Sequence, residues 1–273
     1  MINKKNLLLL FLASSFGTGF AQTAQGLNPL IQQVYNRTNI SLNGYWNYFS
    51  DPLETGYYDY RRRPTPDGFF KDHEADNIKT FKEYDFNSSP VMSIPGDWNT
   101  HSDNLFLYEG TIWFKREFLY EPTDKTVYLY FGAINYDSKI YLNGKKVGEH
   151  EGGYTPFNFD VTALLQKGKN KLIVKVDNKR RADAVPTNNF DWFNYGGITR
   201  DVMLVELPQT FIQSYRVQLR KGANNVIAAQ IQLSGNKKIQ QVKIEIPELK
   251  INQTLTTDSE GRANTQLSIL DSS

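Results

Sequence analysis

Asp191 stands between Phe190 and Trp192 in the stretch FDWFNYGGITRDV, residues 190–202. A carboxylate in that setting, just ahead of Gly196-Gly197, has two uses. It can accept hydrogen bonds from nearby backbone N–H groups and so cap a turn. It can also accept hydroxyl hydrogen bonds from a ligand, and charge-assisted bonds are the stronger kind. Aromatic neighbours suit a polyhydroxylated ring, because a pyranose presents a face of C–H groups that packs on an aromatic face. The same rings equally suit the interior of a β-sandwich.

Other reactive residues offer less. Glu149 and Glu151 flank His150 in a turn-rich stretch. Cleavage of a glycosidic bond needs two carboxylates at a fixed separation across it, and this pair reads as exposed loop charge. His73, His101 and His150 are not in metal-ligand spacing and no HExxH occurs, so no metal site is expected. EGGYTPF (151–157) is glycine-rich but does not open a helix after a strand, which argues against a phosphate cradle. There is no GxSxG elbow, P-loop or dinucleotide fingerprint, and no cofactor is expected. The absence of cysteine excludes disulfides, thiolate metal sites and cysteine nucleophiles. A net charge of +2 points neither to nucleic acid nor to an anionic membrane surface.

The elements that must position Asp191 read as strands. ISLNGYWNYFSD (40–51) gives a turn and a strand, and VMSIPGDWN (91–99) a strand entering a turn at Pro95-Gly96. TIWFKREFLY (111–120) alternates imperfectly, which would admit a bulge. TVYLYFGAI (126–134) is a clean strand. SKIYLNGKKVGEH (138–150) is a hairpin around Asn143-Gly144, where both turn positions need positive φ. FDVTALLQKGKN (159–170) reads as a short helix, capped by Asp160 or Thr162 and ended by Gly168. KLIVKVDN (171–178) and RDVMLVEL (200–207) are further strands. Residues 52–90 are loop-like, and the Arg61–Arg63 run reads as a solvated face.

Closely spaced strands with turn signals between them give an all-β chain, a jelly-roll β-sandwich over residues 22–207. Past Pro208 tryptophan disappears, and VIAAQIQLSG and IQQVKIEI alternate strictly. Residues 208–273 therefore read as an immunoglobulin-like sandwich, truncated, because such a domain needs about 100 residues to close two sheets. At the N-terminus, Lys4 and Lys5, the run Leu7–Leu12, and Gly19 and Ala21 form a secretory leader, cleaved after Ala21. The expected product is exported, periplasmic or extracellular, with no membrane span.

LNGYWNY (42–48), IPGDWN (94–99), YEGTIWFKREF (108–118), YLYFGAINYDSKIYLNGKKVGEHEGGYTPFNFDVT (128–162) and DWFNYGGITRDVML (191–204) occur in this order. Together they resemble the N-terminal part of glycoside hydrolase family 2, the family of β-glucuronidases, β-galactosidases and β-mannosidases. The likeness is greatest to the β-glucuronidase branch, through EHEGGYTPFNFDVT and FNYGGITRDV. It implies a galactose-binding-like jelly roll, an immunoglobulin-like domain, and a catalytic TIM barrel carrying two glutamates, as partner of the first two. No catalytic residue is then expected in this chain. The resemblance implies that Asp191 contacts a β-linked carbohydrate in the barrel's pocket, orienting the sugar without doing chemistry. Trp192 stands where the branch carries Phe. Phe193 and Tyr195 are read as packing the domain interface, and Arg200 with Asp201 as an ion pair. A homo-oligomer is compatible with this reading. The alternative is a stand-alone secreted carbohydrate-binding module.

Overall fold

Asn143 and Gly144 take φ of 51° and 78° and close a hairpin, as their sequence requires. The computed structural model that shows this describes residues 29–59, 61–64, 85–235 and 237–269. The expected leader, residues 1–21, and His73 lie outside the described residues. In chain order the first strands are β1 (Asn39–Ser41), β2 (Gly44–Ser50), β3 (Val91–Ile94), β4 (Gly96–Asp97), β5 (Thr111–Tyr120) and β6 (Thr126–Phe131). The hairpin is β7 (Asp137–Leu142) and β8 (Lys145–Glu151). Then come β9 (Phe157–Asp160), β10 (Gly168–Asp177), β11 (Gly197–Ile198) and β12 (Val202–Leu207).

These strands form two antiparallel sheets, β3-β2-β5-β10-β7-β8 and β1-β12-β6-β9, with β4 and β11 pairing as a short ribbon. Trp46, Phe114, Leu129, Phe131, Val174 and Leu204 belong to the one large buried cluster of this sandwich. β6 and β12, central in the four-stranded sheet, are apolar in near-continuous runs because each is covered on both faces. On β5 the register with β10 runs unbroken from Thr111 to Tyr120, so the imperfect alternation is not a bulge. Its other face is covered instead: Phe86, Trp113, Tyr141 and Ile173 make a second cluster there, and Asp51 accepts the Trp113 indole N–H at 2.9 Å.

The expected helix at 159–170 is absent, and no α-helix occurs among the described residues. Asp160 does act as a cap, accepting the backbone N–H and the hydroxyl of Thr162 at 3.0 and 2.6 Å. Only one turn follows, with Leu164 and Leu165 both bonding back to the Val161 carbonyl. Asn170 then bonds the backbone of Gln166 in both directions, at 2.8 and 2.7 Å, and turns the chain into β10. Leu164 and Leu165 pack against the main core. Burying this pair over the sandwich end needs one turn, and local propensity yields to that packing.

The second sandwich comprises β13 (Thr210–Leu219), β14 (Val226–Gly235), β15 (Gln241–Ile246), β16 (Ile251–Thr256) and β17 (Arg262–Ser268). Sheet β13-β14-β17 faces the pair β15-β16. Ile227, Ala229, Ile231 and Leu233 of β14 are buried against Val242 and Ile244 of β15. Tyr215, Val217 and Leu219 stand opposite Ile231, Ala229 and Ile227, so they share the core face. Yet they are 43%, 42% and 56% exposed. A two-stranded sheet covers β14 and β17 but leaves the second half of β13 bare.

The two sandwiches meet around Phe211, which packs with Tyr128, Tyr130, Met203 and Leu207. Ile31 and Val34 join that cluster. Beside it, Gln32 and Arg37 bond the Gln213 and Ile212 segment of β13, Arg37 reaching the Ile212 carbonyl at 2.6 Å.

Candidate functional site

The corner that presents Asp191 is built from glycines and buried amides. A Cβ on Gly196 would lie 2.0 Å from Trp98 Cζ2, so only glycine fits against that ring. The Gly196 N–H donates to Asn99 Oδ1 at 2.9 Å and its carbonyl accepts from the Trp98 N–H at 2.9 Å. Gly197, at φ 147°, pairs with Asp97 and exchanges backbone hydrogen bonds with Asn135 at 3.1 and 2.9 Å.

Four buried asparagines tie the surrounding loops together. Asn99 donates to the carbonyls of Leu105, Phe106 and Tyr108. Asn135 donates to Asn194 Oδ1 at 3.1 Å and to the Tyr195 carbonyl at 2.5 Å. Asn178 donates to the Asn194 carbonyl at 2.8 Å, Asn194 returns a bond to the Asn178 carbonyl, and Gly110 N–H donates to Asn178 Oδ1 at 2.9 Å. A primary amide both donates and accepts, which is why asparagine can join several irregular segments away from water.

On this base, Arg180 holds the loop that carries Asp191. Its Nη1 and Nη2 donate to the carbonyls of Phe190 and Trp192, each at 2.8 Å, and its Nε donates to Glu109 Oε1 at 2.8 Å. Asp191 is exposed, and its carboxylate accepts no hydrogen bond from the described residues. The turn-capping role open to it in the sequence is thus not the one it takes. It lines a cavity of about 200 Å³ with Asn99, Leu107, Glu109, Trp192 and Phe193.

The rim is aromatic. Phe190 and Trp192 lie 4.2 Å apart between ring centroids, and Phe193 contacts both Tyr195 and Phe106 at 4.8 and 5.1 Å. Phe106, Leu107, Phe190, Trp192 and Tyr195 are all exposed. Exposed apolar side chains thus border an unpaired carboxylate, a combination whose chemistry suits a binding or docking surface.

The remaining sequence candidates are placed elsewhere. Glu149 and Glu151 are exposed, but on strand β8 rather than a loop. They share one face because side chains alternate along a strand, and His150 between them points inward. Glu149 pairs with Lys146 and Lys139 at 3.1 and 3.3 Å, and the Lys146 contact comes first in holding its carboxyl low. Glu151 pairs with Arg181 at 2.7 Å. His150 stacks on Phe157 at 4.1 Å, and burial pushes its imidazole down. His101 meets the Tyr48 ring edge-on. Arg61 to Arg63 are exposed, with Arg62 on Glu54 and Arg63 on Asp59. Among the described residues no three His, Asp or Glu are grouped to hold a metal ion, and no helix is long and apolar enough to cross a membrane.

Arg200 and Asp201 do not pair. Arg200 reaches the Tyr154 carbonyl at 3.3 Å, while Asp201 accepts from Tyr35 and Asn43, each at 2.8 Å. Each side chain is taken by a different partner, so the two do not form the expected pair. The bond to Asp201 pushes the Tyr35 phenol up to about 12. An unfolded tyrosine ionises near pH 10, so this bond's contribution is complete below about pH 10 and fades as pH rises towards the folded value. Tyr35→Phe should therefore cost less than about 1 kcal/mol at neutral pH, and the deficit should shrink at pH 11. Urea midpoints at both pH values check this; an equal deficit at both would assign the effect to packing.

Sequence reasoning missed Arg180, Glu109 and the asparagines. Asn178 closing an apolar strand was the one local signal, and alone it reads as a turn former.

Residues 40–208 match the family described as glycosyl hydrolases family 2, sugar binding domain. The chain is 33% identical over 140 residues to a putative beta-glucuronidase of Formosa agariphila, covering 49% of this chain and 17% of that protein. It is 35% identical over 141 residues to a beta-galactosidase of Thermoanaerobacter pseudethanolicus, covering 48% and 19%. It superposes on the beta-glucuronidase of an uncultured Clostridium species with a TM-score of 0.60 at 25% identity, covering 90% of this chain and 41% of the other. The chain thus spans about a fifth of the length of the two curated relatives.

Proposed function

The chain belongs to glycosyl hydrolases family 2, and from that premise we propose that it is the N-terminal, non-catalytic portion of an exported exo-acting β-glycosidase. Its jelly roll, residues 22–207 after a leader of 1–21, supplies a substrate-contacting loop to a catalytic TIM barrel. The observation that carries this reading is Asp191: a carboxylate with no protein partner among the described residues, held at the rim of an aromatic cavity. A free carboxylate can accept two sugar hydroxyls at once. The barrel docks on the exposed rim of Phe106, Leu107, Tyr195 and their neighbours, and would supply the two glutamates of a retaining mechanism.

The cavity's charge bears on the substrate. Glu109 and Asp191 stand against the single guanidinium of Arg180, which is already engaged. This face suits the neutral, hydroxyl-bearing edge of the sugar. In a β-glucuronide, the branch we favour over β-galactosides, the sugar's own carboxylate would then be read by the barrel. Residues 208–273 begin an immunoglobulin-like domain, and further strands of the intact enzyme cover Tyr215, Val217 and Leu219.

Isolating the native protein from its source with an antibody to this chain tests the reading. It should start at Gln22, far exceed the 31.4 kDa of this chain, and hydrolyse a chromogenic β-glucuronide or β-galactoside. The β13 amides should exchange more slowly in it than in residues 22–273 alone, which should turn over neither substrate. A native protein no larger than this chain, binding glycans without hydrolysing them, would establish a stand-alone carbohydrate-binding module instead.

A further inference from the structure

We infer that Arg180 is the residue that positions Asp191, acting through the backbone on either side of it; this rests on the reading of Asp191 as a sugar contact. Arg180 lies on the loop that leaves β10, ten residues before Phe190. Its side chain is mostly buried, at 20% exposure. The guanidinium spends its donors on three different groups: the Phe190 carbonyl, the Trp192 carbonyl and Glu109. The two carbonyls belong to peptide units on either side of Asp191. Pinning both to one rigid plane couples the φ and ψ angles of Asp191 and Trp192, so the direction of the Asp191 Cα–Cβ bond follows.

The choice of acceptors matters as much as the geometry. Had Arg180 paired with Asp191 itself, the carboxylate would be spent on the protein. Neutral carbonyls take the guanidinium's outer edge, Glu109 balances its charge, and Asp191 is left free. Lysine cannot reproduce this, because an ammonium is a point charge without the planar fork.

The chain carries its own reporter. Trp46, Trp98 and Trp113 are fully buried, while Trp192, beside Asp191, is 53% exposed. Acrylamide quenching of tryptophan emission therefore reads this loop, and the unquenched fraction reports that the fold is intact. In Arg180→Lys the quenching constant should rise about twofold, with the unquenched fraction unchanged, because two carbonyls lose their shared donor. In the enzyme carrying this domain, the same change should lower kcat/KM about tenfold. On an Asp191→Ala background it should lower it by less than about twofold, since nothing is left at that position to be oriented. Unchanged quenching in Arg180→Lys overturns the proposal. So does a tenfold loss that persists on the Asp191→Ala background. If Asp191→Ala alone leaves kcat/KM intact, the sugar contact itself is what fails, and quenching still decides whether Arg180 holds the loop.

Discussion

Asp191→Ala in the enzyme that carries this domain should lower kcat/KM by roughly 10- to 150-fold while leaving the melting temperature unchanged. The magnitude follows from losing a hydrogen bond to a charged group, about 1.5–3 kcal/mol, at about 1.4 kcal/mol per factor of ten. The unchanged stability follows from the structure: Asp191 is exposed and accepts no hydrogen bond from the described residues, so its removal breaks nothing in the fold. Asp191→Asn keeps one acceptor oxygen and loses the charge, so it should fall between wild type and alanine. The proposed role is to orient the sugar without moving a proton, so the pH profile of kcat should keep its shape in both variants. Parallel kinetics and thermal melts check this. A kcat/KM within twofold of wild type for the alanine variant would remove Asp191 from the substrate; a lower melting temperature would make it a structural residue.

Gly196→Ala should act in the opposite way, through the fold. The added methyl would lie 2.0 Å from Trp98 Cζ2 and 2.5 Å from Cε2. The ring has nowhere to go: Trp98 is fully buried, its indole N–H donates to the Tyr108 carbonyl at 3.0 Å, and it stacks on Phe114. Nor can the glycine retreat, since its N–H and carbonyl are held by Asn99 and Trp98. Overpacking at such a site costs about 3 kcal/mol. For a domain of this size that lowers the melting temperature by roughly 6–12 °C. Gly144→Ala is the useful contrast. It has positive φ but no atom within 4 Å of the new methyl, so it should carry only the backbone strain, about 1 kcal/mol. Thermal melts of both variants decide the matter. A Gly196 variant as stable as the Gly144 variant would mean that the corner is plastic, and plasticity there would also undercut a fixed direction for Asp191.

Some of this is legible in the sequence alone. Alternation gave the strands, and Asn143-Gly144 gave the hairpin, because side-chain period and turn φ are properties of a few adjacent residues. The ordered blocks from LNGYWNY to DWFNYGGITRDVML carried the family resemblance and, with it, Asp191. Where local signals met tertiary demands they failed. The cap at Asp160 is real, yet no helix follows it, because one turn suffices to bury Leu164 and Leu165. Adjacent opposite charges at Arg200 and Asp201 suggested a pair, yet Asp201 is taken by Tyr35, more than 160 residues away in sequence.

By itself, then, the sequence determined the β architecture and singled out one aspartate among aromatics. Only the tertiary structure decided that this aspartate is free while Asp201, Glu149 and Glu151 are occupied. That distinction depends on which partners arrive from elsewhere in the chain: Arg180 onto the carbonyls of Phe190 and Trp192, Asn99 onto Gly196 across 97 positions. Such contacts leave no period in the sequence, because a hydrogen bond needs only that its two groups meet, however the chain brings them there.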